Sequence, residues 1–160
     1  MNADVSTPTC EDGLSEAVLG CCKEVYRRLG PGFSKSTYEE ALGYELTLKR
    51  LPYLRRVPVP LFYRGVRLST SAVLDFAVDG RLVVDVRALD AILRAQRLEL
   101  RFRLRVTGLD TGLLANFGAP RFSESVVLIR RRHPTSSLDR RDSGPVPVRA
   151  AVDHELAVAS

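Results

Sequence analysis

Asp75, Asp85 and Arg87 are the residues whose types and spacing suit chemistry. They interrupt the apolar run Ala72-Val-Leu-Asp75-Phe-Ala-Val-Asp79-Gly80-Arg-Leu-Val-Val-Asp85-Val-Arg87. A buried carboxylate without a partner is costly or neutralises itself, so two acids and a base on neighbouring strands need a reason. Two carboxylates on one sheet face hold a hard cation such as Mg²⁺ or Mn²⁺, with water and phosphate oxygens completing its shell. Such an ion acidifies a bound water, and a nearby cation offsets charge on a transferring phosphate. The chemistry would be attack on a phosphodiester. The same residues also suit a partly exposed Asp85–Arg87 ion pair at a strand end.

The turn between the strands decides whether the acids meet. A two-residue loop at Asp79-Gly80 pairs Val78 with Arg81 and sends Asp75 and Asp85 to opposite faces. A three-residue bulged loop, with Gly80 left-handed, puts both acids on one face with Arg87 two residues on.

Composition narrows the alternatives. The only histidines, His133 and His154, lie near the C-terminus, so the folded part offers no Ser-His or Cys-His pair and no histidine zinc site. Metal chemistry would therefore run on carboxylates. The cysteines, Cys10, Cys21 and Cys22, lack metal-ligand spacing and read as small buried apolar residues. A reducing cytoplasm fits this usage, with no visible secretory signal and no apolar run long enough to cross a membrane. The net charge is +5, and Arg94, Arg97, Arg101, Arg103 and Arg105 concentrate basic charge in one segment. That segment suits polyanions, or is a solvated helix face.

The elements that must position these residues follow from periodicity. Helical spacing runs from Leu14 to Leu29 and ends at Gly30-Pro31-Gly32. Ser34 or Ser36 caps a second helix, Thr37 to Arg50. The period then changes to two: Leu54 to Tyr63, with Pro58 and Pro60 marking an edge strand, Val66 to Val78, frayed at Ser69-Thr70-Ser71, and Leu82 to Ala88. Residues 90–106 form a Leu- and Arg-rich helix with Leu93, Leu100 and Leu104 on one side. Strands follow at Thr111 to Phe117 and Phe122 to Ile129. A helix between strands three and four implies a parallel crossover. The expectation is an α/β fold of order α-α-β-β-β-α-β-β with a mixed sheet over residues 13–132, flanked by a disordered segment at 1–12 and a flexible tail at 133–160.

Several blocks in order carry a resemblance. They are Leu19-Gly20-Cys-Cys-Lys-Glu24-Val-Tyr-Arg-Arg-Leu-Gly30-Pro31-Gly32-Phe33, Tyr38-Glu39-Glu40-Ala41-Leu42 with Tyr44-Glu45-Leu46, Val57-Pro58-Val59-Pro60, Tyr63-Arg-Gly65-Val66, Thr107-Gly108-Leu109 and Gly112-Leu113-Leu114-Ala-Asn116-Phe117-Gly118. On these the chain resembles the bacterial GxxExxY family, itself similar to PD-(D/E)XK nucleases. The resemblance implies a restriction-endonuclease-like core and a Mg²⁺- or Mn²⁺-dependent nuclease acting on DNA or RNA. Asp75 falls on the family's strand Asp and Asp85-Val86-Arg87 on its Glu-x-Lys. Asp75 and Asp85 would then be metal ligands, Glu39 a further ligand or holder of a metal-bound water, Glu99 an extra ligand, Arg87 a stabiliser of charge and Gln96 a polar neighbour.

The departures fall at the chemistry. Lys35 stands where the family's name-giving Glu would be. Asp85 is shorter than Glu by one methylene, roughly 1.5 Å. Arg87 does not deprotonate and so is no base. In the crossover helix Gln96-Arg97-Leu98-Glu99 replaces the family's His-x-Ala-Gln, and Arg103 replaces its Tyr. Two accounts follow: a divergent metal-dependent nuclease, or a non-catalytic module of the same fold that binds nucleic acid through Arg97, Arg101 and Arg103, or binds a protein.

Overall fold

The computed structural model describes residues 13–131. The terminal segments expected to be disordered or flexible, with Cys10 and both histidines, lie outside the described residues. The elements are α1 (Gly13–Leu29), α2 (Lys35–Leu48), β1 (Tyr53–Tyr63), β2 (Val66–Val78), β3 (Leu82–Arg87), α3 (Arg94–Thr107), β4 (Thr111–Asn116) and β5 (Val126–Arg130), with a 3₁₀ turn at Phe122–Glu124. The sheet runs β1-β2-β3-β4-β5. β3 and β4 are parallel across the α3 crossover and the other pairs are antiparallel. The α/β order and mixed sheet match the expectation. β1 lies at an edge, where Pro58 and Pro60 lose no ladder donor toward a second neighbour.

Both sheet faces are covered, which explains the nearly continuous apolar sequence of β3 and β4. On one face Val18, Cys21, Cys22 and Val25 of α1 and Tyr38, Leu42 and Leu46 of α2 pack on Phe76, Val78, Leu82, Val84 and Val86. On the other, Leu100 and Leu104 of α3 pack on Val57, Val59, Leu74, Val83 and Leu114. Each such side chain contributes about 1.5–3 kcal/mol by leaving water.

Several element limits differ from the sequence expectation, most by one or two residues. α2 begins at Lys35, because the Ser34 hydroxyl accepts the Thr37 N–H at 3.3 Å and caps it. α3 begins at Arg94 rather than residue 90. Leu93 is extended and exposed, and its N–H is donated to Gln96 Oε1 at 2.9 Å, so it does not join Leu100 and Leu104. β2 runs unbroken through Ser69–Ser71, the irregularity appearing instead as a register shift in its pairing with Pro60 and Phe62. β5 begins at Val126, because the 3₁₀ turn takes up Phe122 to Glu124.

The β2–β3 hairpin has the odd loop that brings the acids together. Val78 pairs with Leu82, leaving Asp79, Gly80 and Arg81 between the strands. Asp79 (φ 51°) and Gly80 (φ 62°) are both left-handed, and the Arg81 N–H is donated to the Val78 carbonyl at 3.1 Å. Pairing ends at Phe76 with Val84, and beyond it the two strands part. Residues two apart on a regular strand share a face, yet Leu74 packs on the α3 side and Phe76 on the α1/α2 side. β2 therefore turns over at Asp75. Its neighbour β1 turns over opposite, where Arg56 has φ 51° between the paired Arg55 and Val57.

Candidate functional site

Asp75 sits in the fork so formed. Its Oδ2 accepts the Val86 N–H at 2.8 Å, taking the place of a ladder carbonyl. Lys35, in the first turn of α2, donates to Asp75 Oδ1 at 2.9 Å and lies 2.8 Å from Oδ2. The same ammonium is 3.6 Å from Glu39, one helical turn on. Glu39 is only 4 % exposed. Two arginines from β1 approach it, Arg55 at 3.6 Å and Arg56 at 3.8 Å.

Asp85 and Arg87 point to the α3 side of the sheet, as their register with Val83 requires. Asp85 is 1 % exposed, and its Oδ2 accepts from Arg87 and Arg103, each at 2.9 Å. Arg87 also donates to Glu99 at 2.5 Å, and Glu99 is 3.7 Å from Arg103. Asp85 Oδ1 and Arg87 Nε are buried without a hydrogen-bond partner. Burial pushes the Asp85 carboxyl up to about 6, contact with Asp75 adds to this, and Arg103 and Arg87 oppose it. Burial also raises Asp75, but contacts with Asp85, Lys35 and the Val86 N–H outweigh it and hold that carboxyl below its usual range. Burial lowers Arg87, and the contacts with Asp85 and Glu99 outweigh that and raise it.

Asp75, Asp85, Arg87 and Glu99 thus come together, and Glu39 joins them from α2 through Lys35. Arg97 and Arg101 are on the exposed side of α3. Arg103, expected with them on a binding face, instead turns inward onto Asp85 and keeps only 18 % of its side-chain exposure, because its position in the helix faces β3. Gln96 caps the start of α3 rather than lining the site. Sequence reasoning did not count Lys35 among the site residues, although its i,i+4 spacing to Glu39 was a usable signal. It also missed a role for Asn116, whose amide donates to the Leu89 carbonyl and accepts the Leu89 N–H, each at 2.8 Å. That clamp fixes the chain leaving β3, and Gly118 keeps it close: a Cβ there would lie 2.6 Å from Leu89 backbone. Cys21 and Cys22 are buried core residues. Burial pushes the Cys21 thiol up to about 11, so it is no nucleophile at neutral pH.

The carboxylates are of the right type for a hard divalent cation, but their surroundings do not fit a resident one. Lys35, Arg55, Arg56, Arg87 and Arg103 already meet Glu39, Asp75, Asp85 and Glu99. A divalent ion would add charge beside ammonium and guanidinium groups that occupy three of the four oxygens of Asp75 and Asp85. Among the described residues no three Asp, Glu, His or Cys side chains are disposed to hold a metal ion.

A covered mixed sheet with two N-terminal helices, a crossover helix, an acid in a strand fork and Asp-x-Arg on the next strand defines a nuclease-type α/β fold. The chain belongs to the PD-(D/E)XK nuclease superfamily, which it matches over residues 12–131. No curated protein matches it. A solved structure titled "Crystal structure of SSO0001" is similar at 13 % identity and a TM-score of 0.42, over 90 % of this chain and 86 % of that one. Its title names no activity.

Proposed function

We propose that this protein is a metal-independent nucleic-acid-binding member of the superfamily, one that keeps the nuclease fold and has converted the catalytic position into an ion-paired strut. One observation carries the reading: each candidate ligand, Asp75, Asp85, Glu39 and Glu99, is engaged by a cation of the protein itself. The polyanion partner is supported by superfamily membership and by the exposed row of Arg97, Arg101 and Arg105, four residues apart on α3 and hence on one face. The order of the sequence blocks supports a place near the GxxExxY family. The test is binding of single- and double-stranded DNA and RNA in EDTA across a salt series. Measurable affinity that falls steeply with salt supports the reading. Absence of binding at low salt on every substrate removes it.

A second reading, a Mg²⁺- or Mn²⁺-dependent nuclease, is favoured by the buried, unpartnered Oδ1 of Asp85 beside Asp75. In that reading Asp75 and Asp85 hold the ion, Glu39 or Glu99 assists and Arg87 stabilises phosphate charge. The ion would supply an acidified water and charge neutralisation. Cleavage with either metal that disappears in Asp75→Ala and Asp85→Ala would establish it.

A further inference from the structure

Two acids from different elements converge on one point, and a lysine fills it. Asp75 comes from the fork of β2 and Glu39 from α2. The Lys35 ammonium lies 2.8 Å from the first and 3.6 Å from the second. Convergence of carboxylates from separate elements is the arrangement that serves a hard cation. An ammonium is the compact point charge among side-chain cations, whereas guanidinium is a broad plane. Asp85, which contacts Asp75, keeps its Oδ1 buried and without a hydrogen-bond partner. That oxygen is a ligand position that no protein cation has claimed. Lys35 itself is 40 % exposed, so solvent reaches its side chain, whereas Asp75 and Glu39 are far less accessible.

We infer that Lys35 is the resident counter-ion of the fork, standing in the place of a divalent cation and closing the site to one. The inference rests on the metal-independent reading above and names the residue responsible. It follows that, of the cations around the site, Lys35 is the one whose removal frees Asp75. With Lys35 neutralised, Asp75 loses the protein cation that pairs with it, while Glu39 and Asp85 keep their arginines, and a divalent ion meets less repulsion at Asp75.

The test titrates the full chain with Mn²⁺ alone, without nucleic acid, by calorimetry and by Mn²⁺ electron paramagnetic resonance. Wild type is expected to show no saturable binding in the millimolar range. Lys35→Ala is expected to bind at least roughly tenfold more tightly than any wild-type signal, and Asp75→Asn in that background is expected to abolish the gain. Where Lys35→Ala gives no cooperative melt, Lys35→Gln carries the test, because it keeps most of the side-chain length and removes the charge. Saturable wild-type binding that both Lys35 variants leave unchanged overturns the inference. Silence in the folded variants overturns it equally, since Lys35 would then not be what excludes the ion. Nucleic-acid affinity is read separately in EDTA, so failure of the binding reading and failure of this one are told apart.

Discussion

Arg101 and Arg103 are two residues apart on α3 and meet opposite surroundings, as the 3.6-residue helical turn requires. Arg103 is turned to the sheet, where it shares Asp85 with Arg87. Arg101 lies outward with Arg97, and neither has an ion-pair partner among the described residues. The inward arginine is spent on a buried acid, so its charge is largely cancelled and its geometry is fixed. The outward pair keeps its full charge and its freedom. One helix thus carries two kinds of arginine: the inward one pairs with the buried Asp85, and the outward ones stay exposed to solvent.

The largest effect is expected from removing the acid that holds the inward side. Asp85→Ala leaves Arg87 and Arg103 facing each other over a buried site. Removing one partner of a buried ion pair costs about 3–5 kcal/mol. Chemical denaturation is expected to show a loss of that order. A loss below about 1 kcal/mol would mean that both arginines reach water without cost and that the inward row is not structural.

The inward side is also expected to respond to pH. Burial and contact with Asp75 raise Asp85 to about 6, against about 4 for the group in an unfolded chain. Between these values the native state keeps a proton that the unfolded state has released, so this group makes stability fall as pH rises through the window. Asp75, held below its usual range, acts in the opposite sense: its contribution is present above about pH 4 and is lost at lower pH as that carboxyl protonates. The unfolding free energy of wild type minus that of Asp85→Asn is therefore expected to fall as pH rises from about 4 to the Asp85 value. A flat difference would mean that the two arginines, not burial, set the ionisation of Asp85.

A smaller loss is expected at the clamp that carries the chain from β3 toward α3. Asn116→Ala removes both hydrogen bonds to Leu89 and leaves backbone groups there without those partners. The expected cost is about 1–3 kcal/mol, with the exposed arginines unaffected. Hydrogen exchange is expected to quicken at Leu89, whose N–H loses its acceptor, and not in α1.

Much of this architecture was legible in the sequence for identifiable reasons. Pro58 and Pro60 mark the edge strand because each lacks a donor, and Gly30, left-handed at φ 65°, follows α1 where a C-terminal glycine should. The pair Asp79-Gly80 marked a turn, but two loop lengths agreed with the sequence and only the register of Val78 with Leu82 selects the one that unites the acids. The fork itself was not legible. The turnover of β2 at Asp75 is a departure from strict alternation, and alternation is what a strand pattern reads. Lys35 was hidden for a different cause. Its ion pair with Asp75 joins residues 40 apart in sequence, a separation that local periodicity does not see. Arg103 was misplaced because a dense arginine segment reads as one basic face until the packing of Leu100 and Leu104 fixes which side is inward.

The outward side has the smallest expected effect on stability and gives the sharpest separation of the two roles. Replacing both Arg97 and Arg101 with Ala removes no buried contact, so unfolding is expected to change by no more than about 0.5 kcal/mol. Affinity for nucleic acid should nevertheless fall, because each phosphate that is no longer neutralised keeps its condensed counterion. On duplex DNA the slope of log affinity against log salt is expected to become shallower by about 0.9 for each such phosphate, and by about 0.7 on a single strand. Fluorescence anisotropy over a salt series measures both the affinity and the slope. An unchanged slope with reduced affinity would mean that the arginines shape the surface without meeting phosphate. An unchanged affinity would move the interface off α3, and the next surface to test would be the β1 side, where Arg55 and Arg56 flank Glu39. There, charge is already shared with a buried acid, so the same substitutions would disturb stability as well as binding, and the separation seen on α3 would disappear.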